Sequence, residues 1–447
     1  MNPYDYWTYE DYFIFASKFN KPLDNYIELI KNYKKIIFYN NFDGSEFDKS
    51  LKKSFNQLTQ LEELTFGSNF NKPLINSLDQ LSQLKKLTFG KKFNKPLSNS
   101  LVNLIQLEEL TFGENFNKPI VNSFDQLTQL KKLTFGFSFN QPLSNSLSQL
   151  VNLEQLIFGD NFNQPLLDSL NRLTKLKKLT FGRNFNKSLI NSLVNLSQLK
   201  KLTFGYYFNQ PLSNSLEQFV NLKQLTFGTI FNQPLSNSLE KLTNLKQLTF
   251  DFAFDQPLSN SLEQLTNLKQ LTFGTNFNQS LTNSLEQLVN LKQLTFGTYF
   301  NKSLTNSLEQ LTNLEKLTFG TNFNQPLSKL LYKLTKLTHL TLGSNFDQEL
   351  NLPPNIKILT LDCNNQNLID SLPNSIEQLN LNFNFNLPLD NLPNSIKKIS
   401  FSGYGYCYCK YTHELNNLPK LLEILELPTN SKFKINNLPI NCKIIYK

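Results

Sequence analysis

The chain has 447 residues, with 44 lysines and arginines against 35 aspartates and glutamates, which gives a formal net charge of +9. Hydrophobic residues make up 39% of the sequence, enough to form a core, so the composition excludes wholesale disorder. Only two histidines and four cysteines are present, which leaves little material for acid–base catalysis, metal binding or a disulfide framework.

The first twelve residues are acidic and aromatic, and no cationic stretch before an apolar run marks a signal peptide. No apolar run elsewhere approaches the roughly 20 residues that span a bilayer. The cysteines, all at or beyond Cys363, fit a reducing compartment. We therefore predict a cytoplasmic protein without membrane contact, in which residues 1–12 form an N-terminal cap.

One phrase repeats along most of the chain. LTFG at residues 64–67 recurs every 23 residues as far as Leu340, and FNKPL at 70–74 follows it at constant phase. The register extends back through Ile36 to Phe13. A unit of this size cannot bury its own apolar side chains, so repetition at fixed length predicts a solenoid whose coils pack on their neighbours. Residues 13–343 are expected to form these coils, mostly of 23 residues.

Each coil is predicted to contain a strand, a turn and a short helical segment. Alternating apolar residues predict a strand that Gly67 ends. Leucines at every third position over 77–84 predict a helical turn, and Ser77 with Gln80 matches a capping box. Asn71 and its counterparts, with Asp255 and Asp347 as exceptions, are expected to bond backbone groups of adjacent coils.

The leucine spacing resembles leucine-rich repeats, and the phrase LTFG..FNQPL, as at 225–235, is similar to the FNIP repeat of social amoebae and amoeba-infecting giant viruses. The resemblance implies an α/β solenoid: a curved, leucine-rich-repeat-like array with a parallel β-sheet on one face. Short helical turns or extended segments would form the other face. It also implies a location in the host cytoplasm if the source is viral, and it supplies no catalytic residues.

Beyond Gly343 the coils become shorter. Leu359, Leu379 and Ile399 are 20 residues apart, and proline stands near the former helix start, as in LPNSI at 372–376. The loss of three residues and the gain of proline predict an extended back segment instead of a helical one. We expect residues 344–447 to form shorter coils and a C-terminal cap, with a tyrosine-rich insert at 403–413.

Two surface columns on the strand side bear on binding. Threonine at the outward strand position, as at Thr65, suits strand pairing better than recognition of an irregular partner. Charged pairs just before it alternate in sign between early coils, which predicts ion pairs between neighbours. A like-charged column then follows at Lys223, Lys246, Lys269 and Lys292. A polyanion could neutralise it, or it could be balanced by glutamates six residues earlier: Glu217, Glu240, Glu263 and Glu286.

The two residues after each strand glycine vary while their surroundings stay fixed. Several are aromatic or aliphatic, although solvent-facing loops are normally polar. Loops on rigid scaffolds carry binding residues and interfaces are rich in aromatic side chains, so we predict partner contacts here and at the insert. The predicted residues are Phe137, Tyr206, Tyr207, Ile230, Phe252 and Tyr299 in the loops and Tyr404, Tyr406 and Tyr408 in the insert. Alternatively, some of these rings fold over Phe208 or Phe254 and thicken the core.

A zinc site is one interpretation of Cys407, Cys409 and His413, with Cys442 as a fourth ligand, but their spacing is not that of a standard structural motif. Free cysteines in a reducing compartment are the alternative, which we favour. The sequence contains no paired nucleophile and base and no phosphate-binding glycine loop. We therefore predict no catalytic residues, no cofactor and no metal.

These features together predict a monomeric, non-enzymatic scaffold or adaptor for protein–protein interaction, with an unidentified protein partner. The alternative is a binder of nucleic acid or another polyanion through the lysine column that begins at Lys223.

Overall fold

A computed structural model of the protein describes residues 4–39, 44–51, 54–305, 307–402, 409–429, 431 and 433–447. The chain forms two compact units, Met1–Phe231 and Asn232–Lys447. Each unit is a solenoid of short parallel strands, and mostly turns return the chain from one strand to the next. The predicted solenoid with a parallel sheet on one face is confirmed.

The first unit begins with an antiparallel pair, β1 and β2, and from β2 onward each strand pairs in parallel with the next. Phe13 lies opposite Ile36 and Ile36 opposite Leu64, which confirms the predicted register back to Phe13. The antiparallel β1 was not predicted. The elements are β1 (Tyr6–Tyr9), β2 (Tyr12–Phe15), a 3₁₀ turn (Leu23–Tyr26), α1 (Ile27–Ile30), β3 (Lys35–Phe38), a second 3₁₀ turn (Ser54–Gln57), β4 (Glu63–Thr65), β5 (Lys86–Thr88), β6 (Glu109–Thr111), β7 (Lys132–Thr134), β8 (Gln155–Ile157), β9 (Lys178–Thr180), β10 (Lys201–Thr203) and β11 (Gln224–Thr226).

The second unit is parallel throughout its described strands, with leucines or isoleucines in register at their centres. Its elements are β12 (Gln247–Thr249), β13 (Gln270–Thr272), β14 (Gln293–Thr295), β15 (Lys316–Thr318), α2 (Ser328–Leu331), β16 (His339–Leu342), β17 (Ile358–Leu361), α3 (Gln366–Asp370), β18 (Gln378–Leu381), β19 (Lys398–Phe401), β20 (Ile424–Leu427) and β21 (Lys443–Tyr446).

Two columns of phenylalanine fill the core of the 23-residue coils. Within one coil the rings of Phe66 and Phe70 stack with centroids 4.1 Å apart, and Phe66 also stacks on Phe89 of the next coil at 5.6 Å. All three rings are buried. Because each ring packs on its own coil and on the neighbouring coils, the burial that stabilises a coil depends on the array.

An asparagine ladder runs beside these columns, as predicted. The Oδ1 atom of Asn71 accepts a hydrogen bond from the backbone N–H of Asn94 at 3.0 Å, and Asn94 accepts from the N–H of Asn117 in the same way. Asp255 keeps the role, since its Oδ1 accepts from the N–H of Asn278 at 2.8 Å. Only an acceptor is needed here, which is why aspartate can replace asparagine.

The returning segments are successions of tight turns in most of the 23-residue coils, and the predicted capping box is wrong. The N–H of Leu81 bonds the carbonyl of Leu78, and Leu84 does the same to Leu81, so the chain turns every three residues. Ser77 is buried, and its hydroxyl donates to the carbonyl of Ile75 at 3.3 Å instead of capping the segment that follows.

From Asn76 to Asn283, each return turn holds one residue at positive φ, and the side chain after the leucine or isoleucine that precedes the turn decides which residue it is. Where that side chain is β-branched, the asparagine that follows it adopts the positive φ, as Asn76 does after Ile75 with φ 55°. Where serine stands in that place, the serine itself adopts the positive φ, as Ser98 does with φ 44°. Leu167 also does so, with φ 47°. β-Branched side chains avoid the left-handed region, whereas asparagine tolerates it.

The shorter coils of residues 344–447 differ from the prediction in one respect. The return segment after β17 contains the helix α3 instead of a wholly extended chain. Asn365 caps this helix, because its Oδ1 accepts from the N–H of Leu368 at 3.1 Å. The other returns turn just after proline, as where the N–H of Ile396 bonds the carbonyl of Pro393 at 3.3 Å. The cap provided by Asn365 therefore stabilises a helix in a return segment that was predicted, from its proline, to be extended.

Candidate interaction surface

The variable pairs after the strand glycines lie on a rigid backbone. The N–H of Tyr207 donates to the carbonyl of Arg183 at 2.8 Å, and the N–H of Ile230 donates to that of Tyr206 at 3.0 Å. The preceding glycines let neighbouring coils approach, since a Cβ at Gly205 would lie 1.9 Å from the carbonyl oxygen of Gly182. Side chains of the pairs are thus presented on a fixed framework.

Tyr206 and Tyr207 form an exposed aromatic cluster with Arg183 in the first unit. Their rings meet edge to face at 4.7 Å and are 39% and 41% exposed. The Arg183 guanidinium carbon lies 5.0 Å from the centre of the Tyr206 ring and 5.8 Å from that of Tyr207. The ring of Phe208 stacks on Phe204 instead. These two tyrosines therefore do not thicken the core, which was the alternative drawn from the sequence.

The other predicted loop residues of the first unit lie apart from this cluster or are more covered. Phe137 is 49% exposed, and the residues at its position in the adjacent coils are Glu114 and Asp160. Ile230 is half-buried. Phe137 thus lacks the aromatic and cationic neighbours that Tyr206 has.

In the second unit, Phe252 and Tyr299 are each about half exposed. Tyr299 borders a shallow concavity of about 590 Å³, and the small side chain of Ala253 also lines it. Asp255 in this concavity is engaged, since it accepts from the Asn278 N–H and from Gln279 Nε2. Its lining is otherwise amide side chains: Asn232, Asn276, Asn278 and Asn322.

Of the insert, Tyr404, Tyr406 and Tyr408 lie outside the described residues, as does Cys407. Cys409 is half-buried, which raises the pKa of its thiol. His413 contacts the carbonyl of Asn386 through Nε2 at 3.2 Å. Within the described ranges, no three histidine, cysteine, aspartate or glutamate side chains are grouped to hold a metal ion. The described helices include none long and apolar enough to cross a membrane.

Ion pairs join the charged strand residues of neighbouring coils in the first unit, as predicted. Lys85 pairs with Glu62 at 2.7 Å and Lys86 with Glu63 at 2.8 Å. The next pairs repeat this arrangement: Lys131 with Glu108, Lys132 with Glu109 and Lys177 with Glu154. Opposite charges on adjacent coils thus support the register.

The predicted lysine column is only partly neutralised. Lys292 pairs with Glu315 at 2.6 Å, while Lys223, Lys246 and Lys269 make no ion pair within the part of the chain that the structure describes. The glutamates that were expected to balance them do not reach them. Glu217, Glu240, Glu263 and Glu286 lie on the return turns and form no ion pair with the described lysines of the column.

Comparisons with known proteins agree with this geometry. A model of the FNIP repeat family matches residues 364–404. CroV588, a circular leucine-rich-repeat protein of a giant virus, is 28% identical, with a TM-score of 0.72 over 99% of this chain and 70% of its own. Residues 364–404 thus match the FNIP repeat, and the chain as a whole has the fold of a leucine-rich-repeat solenoid.

Other solved structures share this fold. A leucine-rich-repeat protein of Leptospira interrogans is 23% identical over 77% of this chain and 90% of its own, with a TM-score of 0.58. The Toll–Spätzle complex of Drosophila is 14% identical over 93% of this chain and 61% of that chain, with a TM-score of 0.57. A search of curated proteins finds no match.

Sequence reasoning missed two features of the coils that bear on binding. The contact of Arg183 with two tyrosines joins adjacent coils, and its only signal is that Arg183 is one of two arginines in the chain. The second feature is the break in charge alternation, which begins before Lys223. Lys177–Lys178 is followed one coil later by Lys200–Lys201 without an intervening glutamate pair.

Proposed function

We propose that this FNIP-repeat protein is a non-enzymatic protein-interaction scaffold that contacts its partner through the aromatic cluster of Arg183, Tyr206 and Tyr207. One observation carries the proposal: both tyrosine rings are exposed and contact each other and an arginine, while the core phenylalanines beside them form a separate stack. Tyrosine and arginine dominate the binding energy of many protein interfaces.

The fold supports this assignment. Stacked repeats provide an extended, rigid surface that is generally used for binding rather than catalysis. The Toll structure of similar fold is described in complex with Spätzle, so a solenoid of this kind can hold a protein ligand. Phe137, Ile230, Phe252 and Tyr299, with Tyr404, Tyr406 and Tyr408 of the insert, are further proposed contacts.

A pull-down from host-cell extract with quantitative mass spectrometry tests the proposal. The double variant Tyr206→Ser, Tyr207→Ser is expected to lose the partners that the wild type captures, because it removes both rings and leaves the backbone bonds intact. Lys91→Ser, Lys92→Ser is the matched control, since it changes the same two loop positions in another coil. Equal capture by the tyrosine variant and the wild type, with equal unfolding midpoints, would refute the assignment.

A further inference from the structure

The last three coils of the first unit carry lysines without ion-pair partners on the strand side. Lys178 begins β9, Lys201 begins β10, and Lys200 and Lys223 directly precede β10 and β11. None of the four forms an ion pair with a described residue. We call these four residues the lysine patch.

The patch differs from the coils that precede it in sequence. There each lysine pair follows a glutamate pair, and the charges meet, as for Lys86 and Glu63 at 2.8 Å. The acidic residue nearest in sequence register, Glu154, is already bound to Lys177 at 2.6 Å. The lysine patch therefore has no acid of its own among the described residues of these coils.

The register brings like charges together inside the patch. Lys178 lies directly opposite Lys201 in the adjacent parallel strand, and both residues are half-buried. Like charges opposite each other on neighbouring strands destabilise the pairing. The outward strand residues beside them, Thr180 and Thr203, are neutral. Carboxylates from outside the chain would relieve this repulsion.

The aromatic cluster belongs to the same coils. The chain runs from Lys201 through β10 to Gly205 and then Tyr206, five residues from the lysine, or about 17 Å of extended backbone. A segment lying along the strands could place acidic residues against the lysine patch and an apolar ring against Tyr206 and Arg183. One extended ligand would then neutralise the lysine patch and contact the aromatic cluster.

We infer that these coils bind an acidic, extended protein segment, in which carboxylates pair with the lysine patch and an aromatic side chain contacts Arg183, Tyr206 and Tyr207. This inference rests on the proposed function. The lysine patch belongs to the first unit and does not include Lys246 and Lys269 of the second unit, which also lack ion pairs with described residues. Its four lysines over three coils span about 10 Å across the strands, and nucleic-acid sites commonly neutralise about 6–10 phosphates. A short acidic peptide matches this surface better.

Fluorescence anisotropy with a labelled peptide tests the inference. The probe is a run of glutamates followed, after a glycine–serine spacer, by phenylalanine, and its control carries glutamines in place of the glutamates. The glutamate peptide is expected to bind the full-length protein about tenfold more tightly than the glutamine peptide and to weaken with added salt. Equal binding of both peptides, or no binding at about 1 mM, overturns the inference.

Matched variants locate the site. Substituting Lys178, Lys200, Lys201 and Lys223 by glutamine is expected to weaken the glutamate peptide about tenfold. Glutamine fits the strand positions, since Gln155 and Gln224 occupy them in the adjacent coils. The same change at Lys85, Lys86, Lys131 and Lys132 is the control and should leave the affinity within about twofold. Equal affinity of the patch variant and the wild type overturns the inference.

Two further measurements show whether the peptide inference fails alone or together with the proposed function. If single-stranded DNA binds more tightly than the glutamate peptide and loses affinity in the lysine-patch variant, the surface recognises polyanions generally and the peptide inference is wrong. If the patch variant keeps its peptide affinity while Tyr206→Ser, Tyr207→Ser still loses its cellular partners, the inference fails and the proposed function stands. If the tyrosine variant keeps its partners, the proposed function fails.

Discussion

In the 23-residue coils that contain β4 to β15, each coil has two buried, stacked phenylalanines behind a strand of three residues. The shorter coils of residues 344–447 have leucine at the first of these positions in several cases, as at Leu361 and Leu381, and their described strands have four residues. A longer strand adds backbone bonds to each neighbour. The 23-residue coils therefore depend more on ring packing, and the shorter coils depend more on strand pairing.

The largest expected effect is from removing one ring of the columns. Phe135 is buried and stacks on Phe139 at 3.9 Å, so Phe135→Ala should lower the free energy of unfolding by about 3–5 kcal/mol. Phe135→Leu, which imitates Leu361 and Leu381 of the shorter coils, should cost only about 1 kcal/mol. Urea unfolding followed by circular dichroism measures both. If the alanine and leucine variants lost the same free energy of unfolding, this prediction would be wrong, because leucine restores most of the apolar volume and lacks only the ring.

The ladder should be the next most sensitive feature. Asn117→Ala leaves the N–H of Asn140 and the Nε2 of Gln141 without their acceptor, at an expected cost of about 1–3 kcal/mol. Asn117→Asp keeps an acceptor and is the control, since Asp255 already serves in this way. In the shorter coils Asn364→Ala should cost less because its bond to the Asn386 N–H is exposed to water. The same urea series tests this, and a larger loss at Asn364 would contradict it.

Acid should weaken both kinds of coil. Hydrogen bonds from Lys85 and Lys34 lower the pKa of Glu62 to about 2. Burial opposes ionisation of Glu426, yet bonds from Lys398, Lys447 and Ser400 still lower its pKa to about 2. Since the folded pKa lies below the ordinary value of 4.5, each contribution is complete above pH 4.5 and is lost as the pH falls towards 2.

Glutamine variants and salt separate these two contributions. Glu62→Gln and Glu426→Gln should each reduce the fall in unfolding free energy between neutral and acid pH. Added salt should weaken the Glu62 contribution more, because its side chain is 27% exposed and that of Glu426 only 7%. Unfolding curves across this pH range, at low and high salt, provide the measurement. A stronger salt effect at Glu426 would reverse this part of the comparison.

The smallest expected effect concerns the return turns. Leu167 holds φ 47° and is 71% exposed, so Leu167→Asn should raise the free energy of unfolding by up to about 1 kcal/mol. Ile190 is at the same position in the next coil, but there Asn191 has the positive φ. Ile190→Asn should therefore not raise the free energy of unfolding. The described residues of the shorter coils have no positive φ outside glycine, so no such gain is available there. Thermal unfolding of the two variants decides the point.

Most of the fold follows from the sequence because the period fixes the register, and the register places Leu64 on Leu87 and Asn71 on Asn94. The return segments were harder to predict. Ser77 was assigned as a cap from its spacing to Gln80, but its hydroxyl turns back to Ile75. The helix α3 depends on the side chain of Asn365, a single local cap that periodicity does not reveal.

The candidate surface was predictable only in part. The variation at Tyr206 and Tyr207 against a constant background was visible in the sequence, but the position of Arg183 against both rings requires the stacking of coils. Balance of the lysine column by glutamates was expected from spacing alone. It fails because Glu217 and its counterparts lie on the return turns, away from the strand side.

The constant 23-residue offset of the ladder and the ion pairs also bears on how such a chain can change length in evolution. Excising one coil would restore every ladder bond, because Asn140 would meet Asn94 as it now meets Asn117. Between Glu62 and Lys177 the glutamate and lysine coils alternate, so excising two of these coils would preserve the ion pairs as well, whereas losing one would join like charges. Lys178 now lies beside Lys201, which is the arrangement that the loss of one glutamate coil between two lysine coils would produce.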